Sequence, residues 1–189
     1  MKTIKMTNKR RSIMPSVISV LGIFFMLVIF MGCDSEKKMM KNHVDLIGMH
    51  ENNSTVADYI SYVAANNTMV PDHQYINKAL VKLADATNAM AMETKYTVMG
   101  DLNMAKMDAN KITQDPNETT HSDNIRKSAD ILADILHNLQ MAKYPGLSSQ
   151  TTELKNIAAS IKPDILTDKQ KEAIMFFFTK SARLLEMMN

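Results

Sequence analysis

The sequence predicts an all-α fold: an antiparallel bundle of four or five helices that follows an N-terminal signal or anchor helix. Three observations lead there. From residue 54 onward, apolar side chains recur at intervals of three and four. The strict apolar–polar alternation of half-buried strands does not occur. After Cys33 only Gly48, Gly100 and Gly146 supply glycine, too few for a sheet built on tight hairpins.

The first element is the leader. Lys2, Lys5, Lys9, Arg10 and Arg11 precede Val17–Met31, an uncharged and largely apolar stretch of fifteen residues. As a helix it spans about 22 Å, less than the ~30 Å hydrocarbon core, so it fits a secretory signal better than a permanent span. The basic flank stays on the cytoplasmic side, which sends the rest of the chain across the membrane. The expected organisation is a signal peptide or anchor over 1–32, a tether over 33–53 and a helical domain over 54–189.

Charge supports that division. The leader holds five of the 22 basic residues, and no acidic residue precedes Asp34, so Cys33 onward carries 17 basic against 20 acidic residues. A net charge of −3 without a basic stripe argues against a nucleic-acid partner.

Within the domain, the first helix is expected over 54–65, with Ser54 as N-cap and Val56, Tyr59, Ile60 and Val63 on its apolar side. After Pro71-Asp72, a second apolar line runs through Ile76, Leu80, Leu83, Thr87, Met90, Thr94 and Val98. Gly100 interrupts it, and Asp101 is placed to cap a further piece, Leu102–Ile112, that continues or turns away. A polar loop is expected over Thr113–Ser122, with Pro116 at its centre. A helix over Asp123–Tyr144 buries Ile125, Ala129, Leu132, Leu136 and Leu139. Another over Ser149–Lys162 uses Leu154, Ile157, Ala158 and Ile161, and Pro163 stops it. The last helix starts from Thr167-Asp168-Lys169-Gln170, whose spacing fits a capping box. Ile174, Phe177, Phe178, Ser181, Leu185 and Met188 share its inner face.

Cys33 is the single cysteine, so no disulfide forms within the chain. The segment Phe30-Met31-Gly32-Cys33 resembles the lipobox of bacterial lipoproteins, which signal peptidase II cuts just before the cysteine. Gly32 fits the motif; Phe30 and Met31 stand where the family prefers leucine and a small residue. The resemblance implies a diacylglycerol on the Cys33 sulfur and an acyl chain on the new amino group, a firm anchor because each buried methylene contributes about 0.8 kcal/mol. It places the protein in the bacterial cell envelope, with its domain facing the periplasm or the cell exterior.

Methionine is over-used. Thirteen of the eighteen follow Cys33, and Met90, Met92, Met99, Met104 and Met107 crowd one region. Thioethers fill irregular cores where aromatics are few, and the domain has no Trp and three Phe. They are also soft ligands suited to Cu(I), with Met99, Met104 and Met107 as candidates. The stretch Gly100–Ala109, together with Gln170, Phe177, Ser181 and Leu185, resembles an uncharacterised helical domain that accompanies copper- and heavy-metal-efflux proteins. The resemblance adds weight to copper as the alternative to the expected absence of a cofactor.

Other chemistry is sparse. No two of His43, His50, His73, His121 and His137 have the four-residue spacing that sets two imidazoles over one zinc ion. Asp130, Asp134, His137 and Met141 line one face that reads as solvated. Neither GxSxG nor GxxxxGK[ST] occurs. Phe176 sits on the charged side of the last helix and could anchor a contact. The expected function is therefore a membrane-anchored, non-catalytic lipoprotein, without a cofactor, that binds another envelope component. Its alternative is a periplasmic soft-metal buffer.

Overall fold

The computed structural model describes residues 54–67 and 70–189. The leader, Cys33, the 33–53 tether, His43 and His50 lie outside the described residues. Among those described there is no strand, and six α-helices pack together. They are α1 (54–65), α2 (His73–Thr94), α3 (Met99–Gln114), α4 (Glu118–Lys143), α5 (Ser148–Ser160) and α6 (Lys171–Met188). Single 3-10 turns, Pro145–Leu147 and Thr167–Lys169, lead into the last two helices. No helix among the described residues is long and apolar enough to cross a membrane.

Chain direction reverses at every connection. Asn77, early in α2, donates to the Ala109 carbonyl late in α3, and Lys106 pairs with Asp85 at 2.5 Å. Ser128 of α4 donates to the Ala105 carbonyl of α3. Asp134 meets Lys155 of α5, while Arg126 reaches the Ala159 carbonyl at the far end of α5. Glu153 of α5 pairs with Lys180 of α6. Tyr59 bonds Ser181, at 2.6 Å, and the Phe178 carbonyl, which fastens α1 to α6. Burial raises the Tyr59 pKa and keeps this hydroxyl protonated as a donor.

The core follows the apolar stripes. Ile76, Leu80, Leu83, Met90, Leu132, Leu136, Leu139, Phe177 and Phe178 are fully buried. Tyr62 stacks on Tyr75, whose ring stands edge-on to Phe178, and this joins α1, α2 and α6.

Helix boundaries depart from the apolar line where local hydrogen bonding decides. The line through Val98 implies one long helix, yet α2 stops at Thr94. Lys95 turns left-handed (φ 57°), and the amides of Lys95 and Tyr96 close onto the Met92 and Ala91 carbonyls. Val98 stays buried although the helix has ended, so the apolar period outlasts the helix. The chain then folds back as α3, which makes the count six. Asp101 does not cap it: Val98 takes that position and Asp101 lies inside the first turn, where its charge suits the positive end of the helix. Residue 54 is already helical, so the Ser54 cap expectation falls at the edge of the described residues.

The polar loop over Thr113–Ser122 shrinks to Asp115-Pro116-Asn117. Asn117 accepts from the Thr119 amide as a true cap, and the Asp115 carboxylate takes the Asn117 amide and the Thr120 hydroxyl. Those two bonds hold the Asp115 pKa below the ordinary carboxylate range. The capping box at Thr167 does not form either. Gln170 turns away from its own helix and accepts from the Lys162 amide while donating to the Lys162 and Ile165 carbonyls. The Thr167 and Ser122 hydroxyls meet at 3.2 Å instead. Gln170 thus clamps the connection between α5 and α6.

Two substitutions test these helix ends. Glycine tolerates the left-handed position without Cβ strain, so Lys95→Gly raises the unfolding free energy by about 1 kcal/mol in denaturant titration. Gln170→Ala lowers it by about 1–2 kcal/mol and speeds hydrogen exchange at the Lys162 amide.

Candidate functional site

α6 presents two faces because its apolar period is not clean. Ile174, Phe177, Phe178 and Leu185 turn inward, while Phe176, about 200° round from Ile174, stays 46% exposed. Lys180, one turn on, holds its ammonium 5.0 Å above the Phe176 ring and also pairs with Glu153 at 2.7 Å. A cation over the ring and an anion across from it fix an aromatic side chain that would otherwise swing freely.

Two open grooves flank this ring. One, about 560 Å³, runs along Asn67, Ser160, Glu172 and Thr179; the other, about 590 Å³, lies against Thr152, Asn156, Ile157 and Ser160 of α5. A smaller hollow of about 280 Å³ continues toward Gln150, Arg183 and Met187. The walls of the two grooves expose more apolar than polar surface, and Glu153, Glu172 and Lys180 stand among the hydroxyl and amide side chains around the ring. A half-exposed aromatic ring in a polar, charged surround has the make-up of a contact residue. Phe176 is exposed on the charged side of α6, where its place in the helical period puts it; the grooves form where α6 meets α5, and one also takes in Asn67 after α1, a meeting of elements that no local pattern foretells.

A second cluster closes the end of the bundle where α2, α4 and α6 begin. His121 is buried, inside α4 rather than in a loop, and its Nε2–H donates to the Asp115 carbonyl at 2.8 Å. That bond leaves Nδ1 as an acceptor, which receives Nε2–H of His73 at 3.2 Å. The two residues are 48 apart in sequence, so no spacing rule finds them. Beside them a cavity of about 20 Å³, lined by His73, Glu118, Leu166, Thr167 and Asp168, has room for one water.

The line through Asp130, Asp134, His137 and Met141 is a largely solvated face, with the Asp134 side chain 60% and Met141 59% exposed. Its polar groups are paired at that surface, Asp130 with Arg126, Asp134 with Lys155 of α5, and His137 Nδ1 3.3 Å from the Thr151 hydroxyl.

The methionines divide between core and surface, with Met92 exposed as its position on α2 implies. Met90 and Met188 are buried, whereas Met92, Met99, Met104, Met107, Met141 and Met187 are exposed. On α3, Met107 points nearly opposite the buried stripe, and Met99 and Met104 lie about 140° apart on its two flanks. Among the described residues no group of three or more His, Cys, Asp or Glu could hold a metal ion.

Comparison with protein-family models, with curated proteins and with solved structures finds no match for this chain.

The imidazole pair makes a direct prediction. His73→Ala strands the Nδ1 acceptor of a buried ring and lowers the unfolding free energy by about 1 kcal/mol, while His73→Gln, which keeps an N–H donor, recovers most of it in thermal melts.

Proposed function

We propose that this chain is an exported bacterial lipoprotein, anchored through lipid on Cys33, whose non-catalytic helical domain binds another protein of the cell envelope. The leader supplies the first half of the reading: a basic start, an apolar stretch too short to span comfortably, and Gly32-Cys33 at its end. Phe176 carries the second half. A large aromatic side chain pinned by Lys180 between two open grooves has more contact surface to offer than its own helix uses.

Exposure of Met99, Met104 and Met107 supports a second reading, a Cu(I)-binding surface. Stoichiometric Cu(I) uptake under reducing conditions, lost on changing the three to leucine, decides for it; no uptake decides against.

For the leading reading, cells grown with labelled palmitate incorporate it into the chain, and Cys33→Ser removes both label and membrane retention. A photocrosslinker at Asn156 captures a discrete envelope protein. Phe176→Ser abolishes that capture and shifts stability by less than about 1 kcal/mol, since the ring is half exposed already. A chain that takes no palmitate and crosslinks to nothing sinks the proposal.

A further inference from the structure

The alternation of helix direction gives the domain two ends, and the N-terminal segment enters at one of them. Asn67, after α1, borders the groove with Glu172 and Ala173, whereas Tyr59 bonds Ser181. Running back along α1, residue 54 therefore lies toward the C-terminal end of α6. The ion pair Lys143–Glu93 brings the ends of α2 and α4 together there, and the hollow shared by Ser149 and Met187 adds the start of α5.

That same end carries a set of uncovered apolar side chains. Met92 is 70% exposed, Met141 59%, Met99 58%, Tyr96 41% and Met187 39%. They come from α2, α3, α4, α6 and the α2–α3 connection, five pieces of chain that share only their place at this end. Among the described residues the opposite end exposes Val70, Ile165 and Leu166. Single exposed apolar residues are ordinary, but five toward the end where residue 54 lies have, on the anchored reading, a surface to meet.

We infer that this end is a membrane-docking face, whose methionines and Tyr96 enter the boundary between lipid headgroups and acyl chains. The inference rests on the anchored reading of the chain. Twenty residues separate Cys33 from residue 54, a reach of at most about 70 Å, so the face is held at high effective concentration beside the bilayer. Unbranched thioethers adapt to disordered acyl chains as they do to irregular cores, and tyrosine suits a wet–apolar boundary. Charge near the face is balanced, Lys95, Lys143 and Arg183 against Glu93, Asp101 and Glu186. Apolar contact and not attraction to anionic lipid drives the docking, so neutral and anionic bilayers serve equally.

The test uses the full acylated chain in phosphatidylcholine vesicles that contain brominated acyl chains. With Cys33 blocked by its lipid, Met92→Cys or Thr119→Cys gives a single thiol for a fluorescent label at the near or the far end. Quenching is expected to be severalfold stronger at residue 92 than at residue 119. Changing Met99, Met141 and Met187 to glutamine, all surface positions, abolishes that contrast while the chain stays vesicle-bound. Equal quenching at both labels on an acylated chain overturns the docking face and leaves the anchor standing. Photocrosslinking from residue 92 to a protein in place of lipid overturns it too. Should the purified chain carry no acyl group, the anchor reading falls, and the same contrast, measured on added vesicles with Cys33→Ser, still decides the docking face.

Discussion

The packing of α4 against its neighbours is the constraint on which the rest of the domain depends. Its 26 residues bury Leu132, Leu136 and Leu139 on one line and Ala129, Ala133 and Ser128 beside them, so both flanks of the helix are covered. α2 and α3 close one side and α5 the other. The small residues matter as much as the large, because they let the Ser128 hydroxyl reach the Ala105 backbone. α6 lays its inner face, with Phe177 and Phe178, into the core and is tied to α5 on one side and to α1 and the Tyr75 ring on the other. Its outer face is what leaves Phe176 at the surface.

Such a layout separates roles by position. The flank between α5 and α6 offers one pinned aromatic side chain between two open grooves. The end where residue 54 enters gathers thioethers. The other end is closed by hydrogen bonds: the His73–His121 pair, the Asp115 turn and the Gln170 clamp. Two of these regions face outward and one is spent on holding the connections, a division that the proposed anchored binding module would use.

Much of the fold was legible because burial follows the helical period. Every apolar line read from the sequence faces inward, from Val56 and Tyr59 to Leu185 and Met188. Boundaries were not legible, since they are set by single hydrogen bonds that the period does not register. Asn117 caps a helix well before the apolar line begins, and Lys95 ends one while Val98 still keeps the period. Gln170 has the spacing of a capping residue yet finds better partners across the connection. For the candidate site, Phe176 was visible as an apolar residue on the wrong side of its helix. Its grooves and the imidazole pair depend on which helices meet, and distance along the chain says nothing of that. Exposed methionine was the hardest to read, for one residue type serves both a gap in the core and an open surface.

Tyr59 has a mechanical meaning as well. Any pull on the N-terminal segment enters the domain through α1 and runs lengthwise along it. From there it passes to α6 through the Tyr59 hydroxyl and the Tyr62–Tyr75–Phe178 rings, side-by-side contacts that share the load. The helix that takes up this tension is the one that bears Phe176, so under the proposed anchoring a pull at residue 54 would be carried to the flank proposed to grip a neighbour.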